Sequence, residues 1–185
     1  MLSDEDGKFL LRLARDAIEK FVRNEKVEKP KNYPKILDEP RGVFCTIKKN
    51  GNLRGCIGML YPIMPLIKAT ISAAISACSE DPRFRPIREA ELDKIKIEIS
   101  ILTEPKIIEV KKPEEYLEKI KIGNDGLIIE YGPYSGLLLP QVPLEYNWNV
   151  EEFLDHLCMK AGLPEGMWKE KGIKIYKFQA QIFSE

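Results

Sequence analysis

Arginine and cysteine stand two residues apart in the stretch Leu53-Arg54-Gly55-Cys56-Ile57-Gly58. In an extended strand, residues i and i+2 project from one face. Arg54 and Cys56 are therefore predicted to point the same way. Arg54 offers a rigid fork of donors for an anion or carbonyl group. It could equally form a salt bridge that only holds the fold. Cys56 could be a nucleophile if a nearby cation lowers its pKa, or a small buried hydrophobe. Gly55 and Gly58 could let a ligand approach the backbone, or serve a bend.

Five further side chains are candidates for the same chemistry. Arg83 lies in the Asp81-Pro82-Arg83-Phe84 turn, where Asp81 is expected to bond local backbone and Phe84 to pack. Glu98 sits among strand isoleucines and is a candidate carboxylate partner for Arg54. Gln141 follows Pro140 and offers both a donor and an acceptor. His156 is the sole histidine. It could act as a base towards Cys56, although its place on a helix beside Glu152 and Lys160 also fits a solvated surface residue. Lys160 could close on a ligand or complement a helix C-terminus.

The elements that must hold these residues are legible in the pattern. Ser3 caps a helix reaching about Val22, with Leu10, Leu13, Ala14, Ala17, Ile18 and Phe21 as its stripe. Gly42 to Gly58 reads as a β-hairpin turning at Asn50-Gly51. A two-residue turn pairs Lys49 with Asn52, Ile47 with Arg54, and Cys45 with Cys56. On that register Phe44, Leu53 and Ile57 face the core, and Cys45, Ile47, Arg54 and Cys56 face away from it. Cys45 and Cys56 then occupy a hydrogen-bonded pair, a poor geometry for a disulfide. Pro65 opens a helix to about Cys78, and short helical turns are predicted at Lys35–Leu37 and Arg88–Leu92. Ile95, Ile97, Ile99 and Ile101 alternate as one buried face of a strand. A second hairpin spans Gly126 to Leu139. Asn149 and Glu152 form a capping box for a helix ending at Gly162. Ile173 to Phe183 reads as one final strand.

Four stretches resemble the AMMECR-one family: Leu53–Gly58, Asp81–Phe84, Leu138-Leu139-Pro140-Gln141-Val142, and Leu157-Cys158-Met159-Lys160-Ala161-Gly162-Leu163. The resemblance implies an α+β fold with two subdomains, each an antiparallel β-sheet with helices, separated by a cleft. The larger subdomain would comprise residues 1–103 and 170–185, and the smaller, inserted one residues 104–169. The hexapeptide would look into the cleft and bind a substrate or partner protein there. The family resemblance also associates the chain with Memo-type and radical-SAM proteins. The alternative is an enzyme using Cys56 as its catalytic nucleophile.

Composition narrows the classes. Twenty-nine basic and 29 acidic side chains balance among 185 residues. Nucleic-acid binding, which draws its affinity from phosphate neutralisation, is therefore disfavoured. No apolar run approaches a membrane span, and the acidic start Met1-Leu2-Ser3-Asp4-Glu5-Asp6 is unlike a secretory signal. A cytoplasmic protein is expected. Four scattered cysteines and one histidine do not make a structural zinc pattern. There is no G-x-G-x-x-G, phosphate loop or G-x-S-x-G, so no metal and no cofactor is implied.

Overall fold

A computed structural model describes residues 2–185; Met1, at the head of the acidic start, lies outside them. The chain packs as two compact units. One runs up to Glu104 and includes Gln181–Glu185; the other is Pro105–Ala180.

In the first unit, helix α1 (Asp4–Val22) starts at a capping box in which Ser3 and Asp6 satisfy each other's backbone N–H groups. Strands β1 (Gly42–Lys49) and β2 (Asn52–Met59) form the expected hairpin. Asn50 and Gly51 adopt φ of 52° and 80° at its turn, the left-handed pair a two-residue turn demands. Helix α2 (Leu66–Ser79) follows, and then strand β3 (Ile95–Leu102). With a C-terminal strand, β8 (Ala180–Ser184), these strands form a sheet in the order β2-β1-β3-β8.

Val43, Cys45 and Ile47 of β1 and Ile95, Ile97, Ile99 and Ile101 of β3 share one buried cluster with Leu10, Leu13, Ala14, Ala17 and Ile18 of α1 and the apolar side of α2. The period-two reading of β3 holds. Removing this much apolar surface from water is the main force holding the unit together. The four-residue turn at Lys35–Asp38 and the six-residue turn at Glu89–Lys94 are 3-10 helices.

The second unit holds strands β4 (Lys106–Ile107), β5 (Gly126–Tyr131), β6 (Tyr134–Leu138) and β7 (Lys174–Phe178), in the order β4-β7-β5-β6. Helices α3 (Glu115–Lys119), α4 (Val142–Glu145) and α5 (Val150–Lys160) accompany it. The Asn149–Glu152 capping box opens α5, and Gly162 follows it at φ 77°. Phe153, Leu154, Leu157 and Cys158 of α5 meet Leu127, Ile129, Ile175 and Trp168 in this unit's own core. The fold is α+β, with two antiparallel sheets, each flanked by helices.

The C-terminal reading needs correction. Ile173–Phe183 is not one strand. Lys174–Phe178 pairs with β5 in the second sheet, while Ala180–Ser184 joins the first. Residues 170–180, expected in the larger subdomain, therefore belong to the second unit. Alternation continues across the junction, so no hydrophobic signal marks where the chain changes sheets.

Candidate functional site

The hexapeptide lies on β2, an edge strand of the first sheet. Its pairing contains an irregularity. Lys48 opposes Leu53 and Ile47 opposes Gly55, so Arg54 has no partner on β1. This β-bulge shifts every later pair by one residue. Thr46 faces Cys56, Cys45 faces Ile57 and Phe44 faces Gly58. The expected pairs Ile47–Arg54 and Cys45–Cys56 do not form. Cys45 and Ile47 are core residues, fully buried, and Ile57 packs against the same cluster. Leu53 is 39% exposed, and Phe44 is half-buried. The face away from the helices therefore carries Phe44, Thr46 and Cys56, not Cys45 and Ile47.

Arg54 and Cys56 have separate partners. Arg54 donates from Nε to Glu91 Oε1 and from Nη2 to Glu91 Oε2, both at 3.1 Å, and from Nη1 to the Arg85 carbonyl at 2.8 Å. Glu91 also accepts Lys49 Nζ at 2.7 Å and the Arg88 N–H at 3.1 Å. The Arg54 guanidinium and these other donors hold the Glu91 carboxyl far down, at about 2. Arg54 thus ties the bulge to the Glu89–Lys94 turn. Its carboxylate is Glu91, not Glu98. No periodicity singles out Glu91, because a 3-10 turn imposes no apolar pattern.

Cys56 is held by the Asp-Pro-Arg-Phe turn. Its N–H donates to Asp81 Oδ2 at 2.8 Å, and its carbonyl accepts Arg83 Nη2 at 3.4 Å. Asp81 Oδ1 accepts the Arg83 N–H at 3.1 Å, the expected Asx-type turn bond. The Arg83 guanidinium closes on the same carboxylate at 2.9 and 2.7 Å. That pairing keeps the buried Asp81 carboxyl at about 2. An acidic acceptor and a guanidinium donor thereby finish the hydrogen bonding of a sheet edge.

The Cys56 thiol lies 3.2 Å from the Thr46 hydroxyl. Burial raises its pKa, and this outweighs the Thr46 hydrogen bond and the Arg83 charge, which lower it. The thiol is therefore protonated at neutral pH. Glu98 follows in the next column of the same row, opposite Thr46, and lies 3.6 Å from Lys48 Nζ. Cys56, Thr46 and Glu98 thus form a polar row across three strands. Thr46 belongs to it and was not singled out in the sequence; only the corrected register reveals it.

The two glycines do not leave backbone open to a ligand. A Cβ on Gly55 would lie 2.1 Å from the Ala77 carbonyl oxygen of α2, and one on Gly58 would lie 2.2 Å from the Val43 oxygen. Their space is filled by the protein itself.

Gln141, His156 and Lys160 belong to the second unit. Gln141 precedes α4 with its Oε1 buried. The His156 ring stacks on Trp148, with centroids 3.7 Å apart and planes 13° apart, and Trp148 stacks in turn on Tyr146. Lys160 is the exposed last residue of α5. Among the described residues, no cluster of His, Cys, Asp and Glu could hold a metal ion. No described helix is long and apolar enough to cross a membrane.

The chain is similar to proteins along its whole length. Protein MJ0810 of Methanocaldococcus jannaschii is 57% identical over 187 residues, covering 100% of this chain and 92% of that one. A protein of Thermococcus onnurineus is 54% identical over 190 residues, with the same coverage. The crystal structure of the uncharacterised protein PH0010 from Pyrococcus horikoshii matches with a TM-score of 0.96 at 50% identity, covering 100% of this chain and 93% of that one. The AMMECR1 family model matches residues 11–183. With the hexapeptide on its bulged edge strand and relatives that span the full chain, the protein belongs to the AMMECR1 family.

Proposed function

We propose that the protein is a binding protein, and that the hexapeptide strand with the Cys56–Thr46–Glu98 row recognises a substrate or a partner protein. One observation carries this reading: the Cys56 thiol lies 3.2 Å from the Thr46 hydroxyl, in a setting whose burial raises its pKa. Such a thiol is a weak donor and acceptor suited to recognition, and a poor nucleophile. Arg83, whose charge acts to lower the thiol pKa, is already paired with Asp81. Glu98 and Lys48 add one charge of each sign to the same face. Memo-type and radical-SAM proteins are the partners the family resemblance adds to this proposal, and a cytoplasmic setting accords with four unpaired thiols.

The test is the pH profile of Cys56 alkylation by iodoacetamide, followed by mass spectrometry. Recognition predicts an apparent pKa above the ordinary thiol value of about 8.5. A profile with half-maximal reactivity below neutrality would remove the reading in favour of nucleophilic catalysis. Binding itself is tested with a purified Memo-type protein by calorimetry. Loss of heat on Cys56→Ser or Glu98→Gln, with folding intact, places contact on this row.

A further inference from the structure

The second unit contains a cavity of about 460 Å³ that the hexapeptide does not touch. Its floor includes Ile108, Tyr116, Trp168 and Ile175, all more than nine-tenths buried. Its rim carries five lysines, Lys111, Lys112, Lys169, Lys171 and Lys174, against two glutamates, Glu109 and Glu170. The unit as a whole is slightly acidic, with ten lysines against twelve aspartates and glutamates over residues 105–180. The positive charge at the cavity is therefore a local concentration.

Most of that charge is uncommitted. Lys169 pairs with Glu151 at 2.9 Å and lies 4.6 Å over the Trp168 ring. Lys111, Lys112, Lys171 and Lys174 are exposed, and their ammonium groups form no ion pair among the described residues. Tyr116 is 5% exposed and lines the cavity, and its hydroxyl has no hydrogen-bond partner among the described residues. Burial raises the Tyr116 pKa, so the hydroxyl remains a donor at neutral pH. The Trp168 N–H, by contrast, is consumed inside the fold by Asp155 at 2.8 Å.

We propose that this cavity binds a small phosphate monoester with an apolar body, which lies on the isoleucine and Tyr116 floor while its phosphate meets the lysine rim. The volume lies within the roughly 300–1,000 Å³ usual for small-molecule sites. A phosphate monoester carries close to two negative charges at neutral pH. Four free ammonium groups match that better than the single charge of a carboxylate. Lysine binds phosphate as a point charge and needs no fixed fork. This site is independent of the Cys56 row.

Phenyl phosphate is the probe, titrated into full-length protein with labelled isoleucine methyl groups and followed by NMR. The expected result is saturable shifts at Ile108, Ile173 and Ile175, with Ile97 and Ile99 of the first sheet unmoved. Lys171→Gln with Lys174→Gln should weaken binding about tenfold. Tyr116→Phe, which keeps the packing, should weaken it severalfold. Phenol should not bind, and inorganic phosphate should bind at least about tenfold more weakly. Absence of saturable shifts would overturn the site. So would affinity unchanged by the lysine substitutions. Equal affinity for inorganic phosphate would reduce it to adventitious anion binding, and equal affinity for benzoate would overturn the phosphate assignment.

Discussion

Arg54 and Glu91 are joined by two hydrogen bonds of 3.1 Å each, and each side chain is 16% exposed. A two-point guanidinium–carboxylate contact is directional as well as charged. It fixes the bulge against the Glu89–Lys94 turn. Breaking it leaves a largely desolvated charge behind, so Arg54→Ala or Glu91→Gln should each cost about 2 kcal/mol. Urea denaturation of both single variants and the double variant gives the coupling. Costs that simply add would show that the pair is not a unit. Arg54→Lys should recover little of the loss, because an ammonium cannot make the two parallel bonds.

The same carboxylate sets an acid limit. The folded pKa of Glu91 is about 2 against an ordinary 4.5, and that of Asp81 is about 2 against 3.8. Both are depressed, so the unfolded chain takes up protons first as pH falls. Their stabilisation is complete above about pH 4.5 to 5 and is lost progressively as pH drops towards 2. Each contributes on the order of 2 kcal/mol at neutral pH. Urea midpoints between pH 6 and pH 2.5 should fall steeply below pH 4. Glu91→Gln should start lower and show a flatter acid limb. An unchanged slope in that variant would mean that other carboxylates carry the effect.

Glycines separate packing from conformation. At Gly55 an added Cβ would lie 2.1 Å from a helix carbonyl, which cannot swing aside as a side chain can. Gly55→Ala should therefore cost about 3 kcal/mol by forcing α2 off β2. At Gly51 nothing lies within 4 Å of the Cβ position, but φ is 80°. Gly51→Ala should cost only the left-handed conformation, about 1 kcal/mol. Thermal unfolding of the two variants checks the order; a larger loss at Gly51 would contradict it.

The regular elements were legible in the chain because their signals are local. The β3 isoleucines, the Asn50-Gly51 turn and the capping boxes at Ser3 and Asn149 each need only neighbouring residues to be read. The site was only partly legible because one unpaired residue controls it. Nothing in Leu53-Arg54-Gly55 distinguishes a bulge from a regular strand, yet the bulge decides whether Cys56 faces Cys45 or Thr46. Glu91 was unreadable for a different reason. The contact is 37 residues away and sits in a turn without apolar periodicity. Asp81 was half legible: its turn bond to Arg83 is local, while its bond to the Cys56 N–H is not.

That second bond gives a prediction specific to the sheet edge. The Asp81 carboxylate stands where a neighbouring strand would place its carbonyl, accepting the Cys56 N–H at 2.8 Å. Asp81→Ala removes this acceptor and leaves Arg83 without its carboxylate. Stability should fall by about 2 kcal/mol. Hydrogen exchange should accelerate at the Cys56 amide far more than at the Cys45 amide, which lies on the interior strand β1. Asp81→Asn keeps a carbonyl oxygen for the Cys56 N–H but loses the charge. It should restore slow exchange at Cys56 while leaving the Arg83 pair broken. Equal acceleration at Cys45 and Cys56 in Asp81→Ala would mean that the substitution loosens the whole unit, and that Asp81 does not protect the edge.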